Sequence, residues 1–338
     1  MRILLIMDPG IPVPPVYYGG IERIVYLLAN EYHALGHQVT LLAGPGSHCA
    51  GETITFGDNS PARPKSAIYM EILHVWKYLL RNKNKFDLIH NFGRLIYLAP
   101  VINDPVKKIM SYQRQVTSRG IKIITGLPNR NLFFTACSEY CVATGNVSGN
   151  WRAIFNTIDF SVYNLNANIN NDAPLIFLGR LDRIKGAHTA IAAAKATNNK
   201  LIIAGNIPTT ADNLAYFKTE LEPQFDGNQI KYIGAIDDNQ KNEYLGQAKA
   251  LLFPIEWNEP FGIVMIEAMA CGTPVIGFKR GAVPEVIDEG LTGYIVNNPE
   301  EMIRAIKKLE NIPRHTCRDA AFKRFNIQKI AEEYLSIT

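Results

Sequence analysis

Short apolar runs, each bounded by turn residues, alternate along the chain with segments in which apolar residues recur at helical spacing. In the first half the predicted elements are Ile3 to Met7, Ile24 to Ala34, Gln38 to Leu42, Ile68 to Leu80, Leu88 to Asn91, Ile109 to Tyr112 and Phe133 to Cys137. In the second half they are Leu175 to Leu178, Ala187 to Ala196, Leu201 to Ala204, Gln229 to Ile233, Gln240 to Ala248, Ala250 to Phe253, an apolar helix from Ile263, Pro274 to Phe278 and Glu301 to Leu309. Such alternation is typical of a parallel sheet covered by helices. We therefore predict an α/β protein with two Rossmann-like α/β/α domains.

A polar stretch separates the two halves. Tyr163 to Asp172 contains five Asn and has no strong hydrophobic period, which is typical of a linker. A chain of 338 residues exceeds what one hydrophobic core usually supports, so we expect one domain over residues 1–166 and another over 167–326. A terminal helix within residues 327–338 is free to pack back on the first domain. Ligands of such sheets bind beyond the carboxyl ends of the strands, so two facing domains would form a ligand cleft.

Composition narrows the choice of partners and compartment. The formal charge of +4 is small and the basic residues are dispersed among acids, so a nucleic acid is disfavoured as a partner. The five cysteines form no C-x-x-C pair, which predicts reduced thiols, no zinc site and a cytoplasmic protein. The apolar run at the N-terminus is too short for a signal peptide or a membrane span and is expected to be a buried strand.

The segment from Glu259 to Glu267 places two carboxylates on either side of a predicted helix start, where Pro260 presets φ. The amides of a first helical turn and the helix dipole favour a phosphate, whereas carboxylates accept hydrogen bonds from hydroxyls. The pattern therefore favours a phosphate flanked by hydroxyl groups, as in a nucleotide sugar. The alternative is an ordinary buried helix in which Glu259 is a loop acid and Glu267 pairs with a cation.

A second candidate is the loop after the strand that ends at Leu178. Gly179 and Gly186 allow the backbone to approach a ligand closely. Arg180 offers a planar fork for phosphate oxygens, and Lys185 offers a point charge. A lysine at a helix start opposes the dipole unless an anion is present. The loop is predicted to bind phosphate, with a solvated basic turn as the alternative.

Two further segments are candidates for backbone contacts. Gly19 and Gly20 open the helix Ile21 to Ala34 without forming a G-x-G-x-x-G fingerprint. Their amides can approach a phosphate or an acceptor, although a plain turn explains them nearly as well. Backbone groups near Ile236, after the strand Gln229 to Ile233, are candidates for contact with a base.

Together these segments resemble the GT-B retaining glycosyltransferases of family four. In the second half the matching pieces are Gly179-Arg180 with Lys185-Gly186, the E-x7-E element Glu259 to Glu267, Gly281 to Glu285, and Gly290-Leu291-Thr292-Gly293. In the first half the looser matches are Gly19-Gly20-Ile21-Glu22, Asp87-Leu88-Ile89-His90, Ser138-Glu139, and Ile154 to Asp159. The resemblance spans nearly the whole chain, and four motifs in order at the right spacings make it specific in the second half.

The resemblance implies a two-domain GT-B enzyme in which the first domain binds the acceptor and the second binds a nucleoside-diphosphate sugar. Transfer to a hydroxyl of a glycolipid, polysaccharide or small glycoside would retain the anomeric configuration and need neither a metal ion nor another cofactor. Arg180 and Lys185 would neutralise the diphosphate, and with Glu259 they are the predicted catalytic residues. Glu267 would hold the ribose hydroxyls, and Glu259 would hold a hydroxyl of the transferred sugar. Further donor contacts would come from the amides of Phe261, Gly262, Ile263 and Val264.

The acceptor side departs from the family pattern at one position. The family often has a His after the strand that here reads Ile109 to Tyr112, whereas this chain has Gln113. Gln cannot shuttle a proton, although it can donate a hydrogen bond to a sugar or phosphate. His90, at the end of another strand, is a possible substitute, and a satisfied strand-end histidine is the alternative. Gln113 also leaves open the hypothesis that the chain is a catalytically weakened nucleotide-sugar-binding protein. A third hypothesis is a GT-B sugar-nucleotide epimerase.

Peripheral membrane contact is a further expectation to weigh. Within Ile68 to Leu80, a stripe formed by Tyr69, Ile72, Leu73, Trp76, Leu79 and Leu80 recurs at helical spacing, with Lys77, Arg81, Lys83 and Lys85 nearby. Such a stripe usually faces the core. The basic patch is small for an electrostatic anchor, so core packing is the favoured interpretation.

Overall fold

The computed structural model describes residues 1–16, 19–60, 63–126, 128–129 and 131–337. The chain forms two compact units, one made of Met1–Ile158 with Ile327–Thr338 and the other of Asp159–Asn326. Each unit contains one parallel sheet whose strands are connected mostly by helices. The predicted α/β class, with the same architecture twice, is confirmed.

The first unit contains a seven-stranded sheet within the described residues. Its strands are β1 (Arg2–Ile6), β2 (Gln38–Ala43), β3 (Glu52–Thr55), β4 (Leu88–Asn91), β5 (Lys107–Tyr112), β6 (Leu132–Ala136) and β7 (Trp151–Ala153), in the order β3-β2-β1-β4-β5-β6-β7. Its first four helices are α1 (Gly20–Ala34), α2 (Lys65–Asn82), α3 (Ser118–Thr125) and α4 (Glu139–Gly145). The interior strand β1 is apolar and fully buried from Ile3 to Ile6, as expected for a parallel strand covered on both faces.

The second unit contains a six-stranded sheet within the described residues. Its strands are β8 (Leu175–Leu178), β9 (Leu201–Ala204), β10 (Ile230–Tyr232), β11 (Ala250–Phe253), β12 (Val275–Phe278) and β13 (Gly293–Val296), in the order β10-β9-β8-β11-β12-β13. Its helices are α5 (Ala187–Ala196), α6 (Ala211–Tyr216), α7 (Asp238–Gln247), α8 (Ile263–Ala270), α9 (Val283–Val286), α10 (Pro299–Ile306) and α11 (Arg314–Phe325). The chain leaves β8 toward one edge of the sheet and β11 toward the other. The two loops that follow these strands therefore diverge at the topological switch point, where open α/β sheets bind ligands.

The predicted linker packs on the second unit instead of bridging the two halves. Tyr163 is 5% exposed, and the Asn166 amide donates to the carbonyl of Cys271 over 3.2 Å. The Arg314 Nε donates to the carbonyl of Asn166 over 2.6 Å. Because these contacts tie residues 163–166 to helices of the second unit, the division falls between Ile158 and Asp159, not at residue 166.

Arg314 also joins the ends of two helices in the second unit. Its guanidinium donates to the carbonyls of Gly246, Ala248 and Cys271 and to the hydroxyl of Thr273. The last carbonyls of a helix have no partner inside the helix, so a buried guanidinium at this place satisfies several of them at once. No sequence pattern identified this arginine.

The last helix, α12 (Ile327–Leu335), belongs to the first unit. Its Tyr334 is 1% exposed, and its ring centroid lies 4.6 Å from that of His90. Beyond the helix, Ser336 accepts a hydrogen bond from Arg152 over 3.0 Å. The chain thus returns to the first sheet after completing the second.

The elements that the sequence pattern did not predict are short or polar. Strands β3 and β7 lie at the two edges of the first sheet, read ETIT and WRA, and are partly exposed, so neither has the apolar run of a buried strand. Helix α11 reads RHTCRDAAFKRF and lacks a clear apolar stripe. Within the described residues, every helix is too short or too polar to cross a membrane.

Candidate functional site

Loops from both sides of the switch point meet at the carboxyl edge of the second sheet. Gly186, at the end of the loop after β8, has φ 78°, and a Cβ there would lie 2.0 Å from the carbonyl oxygen of Pro254 in the loop after β11. Gly281, after β12, has φ 53°, and a Cβ there would lie 2.2 Å from the carbonyl oxygen of Glu259. Larger residues cannot occupy these positions without moving the backbone. The glycines therefore fix three loops around Glu259.

An ion pair between Lys185 and Glu259 lies at this edge. Lys185 Nζ is 2.7 Å from Glu259 Oε2, and the two side chains are 18% and 14% exposed. Trp257 Nε1 donates to the same oxygen over 3.0 Å, and Lys185 Nζ lies 4.9 Å from the Trp257 ring centroid. The structure thus brings together a cation from the loop after β8 and a carboxylate from the loop after β11.

Arg180 immediately follows Gly179 at the end of β8. Its guanidinium pairs with Asp182 over 2.5 Å, but the Arg180 side chain remains 53% exposed. Because a guanidinium has five N–H donors, a single carboxylate leaves several of them for a ligand. Arg180 is therefore an accessible cation on the same loop as Lys185.

The predicted helix start is present as the beginning of α8, with Gly262 as its N-cap. The first amides of the helix, including those of Ile263 and Val264, have no intrahelical partner and can receive an anion. Phe261 is 2% exposed, and its ring packs against Phe325 with centroids 6.0 Å apart. Its side chain thus belongs to the core, and any contact with a ligand is limited to its backbone.

Glu267 is 6% exposed and paired with a cation, as expected if α8 is an ordinary buried helix. Its Oε1 accepts from Tyr163 OH over 2.8 Å and from Lys241 Nζ over 2.6 Å. Burial alone would lower the pKa of Lys241, but the carboxylates of Glu267 and Asp238 raise it above the ordinary value. Among the described residues, Oε2 of Glu267 has no hydrogen-bond partner. One oxygen therefore anchors the carboxylate, and the other is left for a hydroxyl.

The segment predicted to contact a base lies between β10 and α7. Ile236 is partly buried, and Asp237 caps α7 by accepting from the Gln240 amide over 2.9 Å. The carbonyl of Gly234 accepts from the amide of Gly205 over 2.8 Å, which joins the loop after β9 to this segment. The backbone near Ile236 is thus held at the same edge of the sheet.

In the first unit, Gly19 is the N-cap of α1, and Gly20 is its first residue. A Cβ at Gly19 would lie 2.7 Å from Pro15 Cβ and 2.8 Å from Glu22 Oε2. Burial raises the pKa of Glu22, an effect that Asp8 increases. The helix start is tightly packed and carries a carboxylate of its own, so the plain turn remains as well supported as an anion site.

The surroundings of His90 fit a structural histidine better than a residue that contacts the acceptor. It is fully buried, Nε2 lies 2.8 Å from Ser111 Oγ, and Nδ1 lies 3.3 Å from Tyr32 OH. Burial lowers the pKa of His90 to about 3, so the imidazole is neutral at physiological pH. With both nitrogens paired and Phe92 and Tyr334 packed on the ring, His90 has the surroundings of a structural strand histidine.

The buried imidazole predicts acid sensitivity. In the unfolded chain His90 takes up a proton below about pH 6.5, whereas in the folded chain it resists protonation down to about pH 3. The unfolded state therefore binds more protons in this window, and the unfolding free energy decreases as the pH is lowered, by up to about 1.4 kcal/mol per pH unit. We expect His90→Gln to lower the pH dependence of the unfolding free energy, measured by urea titration between neutral pH and pH 4. Equal pH slopes in the two proteins would contradict the assignment.

Gln113 follows β5, and its amide has an unusual environment. Both Oε1 and Nε2 are inaccessible to solvent, and within the part of the chain that the structure describes neither has a hydrogen-bond partner. An unpaired buried amide costs about 1–3 kcal/mol, so native proteins rarely keep one without a reason. A hydroxyl supplies both a donor and an acceptor and would satisfy this amide, but it reaches the two atoms only when neighbouring side chains move.

Three residues at the second sheet's site were missed by sequence reasoning. Trp257 lies two positions before Glu259, and this closeness in sequence is the signal that could have identified it as a site residue. Lys241 stands on α7, a polar helix, where a lysine ordinarily faces solvent. Tyr163 was assigned to the linker, so no pattern connected it to Glu267.

The arrangement has two chemical capacities. The exposed guanidinium of Arg180, the ammonium of Lys185 and the amides at the start of α8 can neutralise an anion of more than one charge. The carboxylates of Glu259 and Glu267 can accept hydrogen bonds from hydroxyls. A ligand with phosphate groups between two hydroxyl-bearing groups matches both.

Known families match both halves of the chain. A model described as "Glycosyl transferases group 1" matches residues 166–324, and one described as "Glycosyltransferase Family 4" matches residues 18–104. A Bacillus subtilis protein named "Putative glycosyltransferase YtcC" is 31% identical over 359 residues, covering 91% of this chain and 83% of that protein.

Solved structures match the fold over nearly the full chain. Sucrose-phosphate synthase from Thermosynechococcus elongatus superposes with a TM-score of 0.78 at 21% identity, covering 99% of this chain and 98% of that one. The Anabaena protein Alr3699/HepE, solved in complex with UDP-glucose, superposes with a TM-score of 0.73 at 18% identity, covering 100% of both chains.

Proposed function

This chain belongs to the glycosyl transferases group 1 and is a glycosyltransferase with the GT-B fold, and we propose that its donor is a nucleoside-diphosphate sugar. The observation that carries the proposal is the Lys185–Glu259 pair at the switch point of the second sheet, 2.7 Å across and beside the accessible Arg180. A diphosphate needs cations, and a sugar needs hydroxyl acceptors. The Anabaena relative of the same fold is described in complex with UDP-glucose, which makes that donor the first to try.

The donor residues have separate roles in this proposal. Arg180, Lys185 and the amides at the start of α8 stabilise the diphosphate as negative charge develops on it. Glu259 accepts from a hydroxyl of the transferred sugar, and Glu267 accepts from the ribose through the oxygen that Lys241 and Tyr163 leave unpaired. Electrostatic stabilisation of a leaving group is among the largest single contributions to catalysis.

We further propose that transfer retains the anomeric configuration and needs no metal ion. The bond between C1 and the diphosphate oxygen breaks with its electron pair on that oxygen. The acceptor hydroxyl oxygen attacks C1 from the same face, and its proton passes to the departing phosphate. Fixed protein cations take the place that a metal ion would have beside the diphosphate.

On the acceptor side, Gln113 is the residue that the proposal assigns to hydroxyl recognition in a glycolipid, polysaccharide or small glycoside. Its unpartnered amide is the supporting observation. A packed structural role requires partners in the protein, and the described residues provide none for this amide. In this proposal a hydroxyl of the bound acceptor satisfies the amide.

We expect Gln113→Met to separate stability from transfer. The change removes an unsatisfied amide at nearly constant volume, so the unfolding free energy should stay equal or rise by about 1 kcal/mol. Sugar transfer should fall by about tenfold or more, since a hydroxyl of the bound substrate loses its partner. Gln115→Met, an exposed position on the same loop, is the matched control and should change neither quantity. A large loss of stability with unchanged transfer would show that the amide is structural.

The proposed function is tested by incubating the protein with UDP, GDP, ADP and dTDP sugars, with and without glycolipid, oligosaccharide and small-glycoside acceptors. Nucleoside diphosphate release is followed together with the configuration at C2 of the sugar and at the new anomeric centre. Acceptor-dependent release with a retained anomer supports the proposal. Inversion at C2 without release would indicate an epimerase, and donor binding with neither outcome would indicate a binding protein.

A further inference from the structure

Helix α2 exposes an apolar stripe that the sequence pattern assigned to the core. Tyr69, Leu73, Trp76 and Leu80 are separated by four, three and four residues, which places them on one face at about 100° per residue. Tyr69, Leu73 and Leu80 are 68%, 53% and 56% exposed, and Trp76 is partly buried. We call this set the outer stripe. A contiguous set of exposed apolar side chains bordered by polar residues is typical of an interaction surface.

The helix already has another face that packs on its own unit. Glu71, Val75 and Leu79 are buried, and at 100° per residue they lie on a face centred about 130° from the outer stripe. Glu71 is neutralised inside the unit by Arg63, whose Nη1 lies 3.0 Å away. The fold therefore does not need the outer stripe for its core, and the expectation that this stripe faces the interior is wrong for Tyr69, Leu73 and Leu80.

The exposed surface continues onto neighbouring elements. Trp76 Nε1 donates to the carbonyl of Ile96 in the short helix Leu95–Val101. The Ile96 residue is 41% exposed. Helix α3 packs on the same short helix, where a Cβ at Gly120 would lie 3.7 Å from Leu95 Cδ2. Ile123 of α3 is 60% exposed. Apolar side chains from three adjacent elements thus share one region of the surface.

The exposed charges of helices α2 and α3 have one sign. The exposed charged residues of α2 are Lys65, Lys77 and Arg81, and those of α3 are Arg119 and Lys122. Glu71 is the single acid in the two helices, all of whose residues are described, and it is buried. At 100° per residue, Lys77 and Arg81 lie along one flank of the outer stripe. An apolar stripe with aromatic residues and a purely cationic flank is the pattern of a helix that lies in the interface of an anionic bilayer.

We propose that the outer stripe of α2, together with Ile96 and Ile123, docks the first unit on a bilayer that contains anionic lipids. Leu73 and Leu80 enter the boundary between headgroups and acyl chains, and Tyr69 and Trp76 lie at headgroup level. Lys77, Arg81, Arg119 and Lys122 contact the lipid phosphates. A protein partner would need an apolar patch bordered by acidic residues, held in directional contacts. Nothing in the two helices requires contacts of that kind.

Co-sedimentation with vesicles tests this proposal without donor or acceptor, so its outcome is independent of the transferase chemistry. Vesicles of phosphatidylcholine alone are compared with vesicles of phosphatidylcholine and phosphatidylglycerol. We expect the protein to sediment with the anionic vesicles and to bind the neutral ones at least about tenfold more weakly, because each basic residue near the surface adds to the attraction. Leu73→Gln with Leu80→Gln should weaken binding by about tenfold or more. Lys77→Gln with Arg81→Gln should reduce the preference for anionic lipid.

Leu35→Gln is the matched control, because Leu35 is a leucine of the same unit that is 41% exposed and lies outside the outer stripe. It should bind vesicles as the unaltered protein does. Three results would overturn the proposal: no sedimentation with either vesicle, equal binding by the double leucine variant, or a dimer in light scattering that the leucine changes dissociate while vesicles bind nothing. The last result would identify the stripe as a contact between copies of the chain.

Discussion

Replacing Lys185 with methionine is expected to lower the rate of sugar transfer by about a hundredfold to a thousandfold, which is the cost of removing one preorganised group that stabilises developing charge. The ammonium lies 2.7 Å from Glu259 and is 18% exposed, so its charge acts in a region with limited access to water. Methionine retains much of the side-chain volume and the packing on Trp257. Steady-state kinetics with saturating donor measures the effect.

The control for this variant is Lys200→Met. Lys200 is also ion-paired, 3.0 Å from Asp172, but it precedes β9 and so lies at the opposite edge of the same sheet. The control should transfer sugar at the unaltered rate. Lys185→Met should also lose about 1–3 kcal/mol of stability, because Glu259 is left with Trp257 as its remaining donor. If Lys185→Met with Glu259→Gln restores both stability and full transfer, the pair is structural and the catalytic assignment fails.

Glu267→Gln is expected to raise the dissociation constant of the nucleoside diphosphate by about tenfold to a hundredfold. A hydrogen bond from a ribose hydroxyl to a carboxylate contributes roughly 1.5–3 kcal/mol, and the amide keeps the shape but not the charge. The unfolding free energy should also fall by about 2–3 kcal/mol, since Lys241 loses one of its two carboxylates in a mostly buried place. Isothermal titration calorimetry and urea unfolding measure the two quantities separately.

Glu243→Gln provides the comparison for Glu267→Gln. Glu243 is an exposed glutamate of α7, so its loss should affect neither nucleotide binding nor stability. If Glu267→Gln lowered stability but bound the nucleotide with unaltered affinity, Glu267 would be a structural partner of Lys241 and not a ligand of the ribose.

The sequence pattern was sufficient where local rules and tertiary structure agree. Strands β8, β9 and β11 have the predicted bounds because each is a short apolar run between turn residues, and helix α8 begins at Ile263 after Gly262 as expected. The switch point follows from the order of those strands. The amino-acid sequence alone therefore predicts that Arg180, Lys185 and Glu259 lie at one edge of the sheet.

The sequence was insufficient where a residue's role depends on distant contacts. Tyr163 and Arg314 lie in segments with no apolar period, yet both bind buried oxygen atoms of the second unit. His90 lies near the end of β4, as predicted, but its burial depends on Tyr334 from the far end of the chain. The outer stripe of α2 has the spacing of a core face, and only the packing of Val75 and Leu79 shows that another face of the helix is the buried one.

The central claim is that the carboxyl edge of the second sheet binds a nucleoside-diphosphate sugar, and a thermal-shift screen over UDP, GDP, ADP and dTDP sugars tests it most directly. A ligand at a hundred times its Kd stabilises the folded protein by about 2.7 kcal/mol, which is large enough to detect. We predict that sugars of one nucleotide raise the Tm of the unaltered protein and that Arg180→Ala and Glu267→Gln reduce or abolish that shift. No shift with any nucleotide sugar, or an undiminished shift in both variants, would contradict the claim.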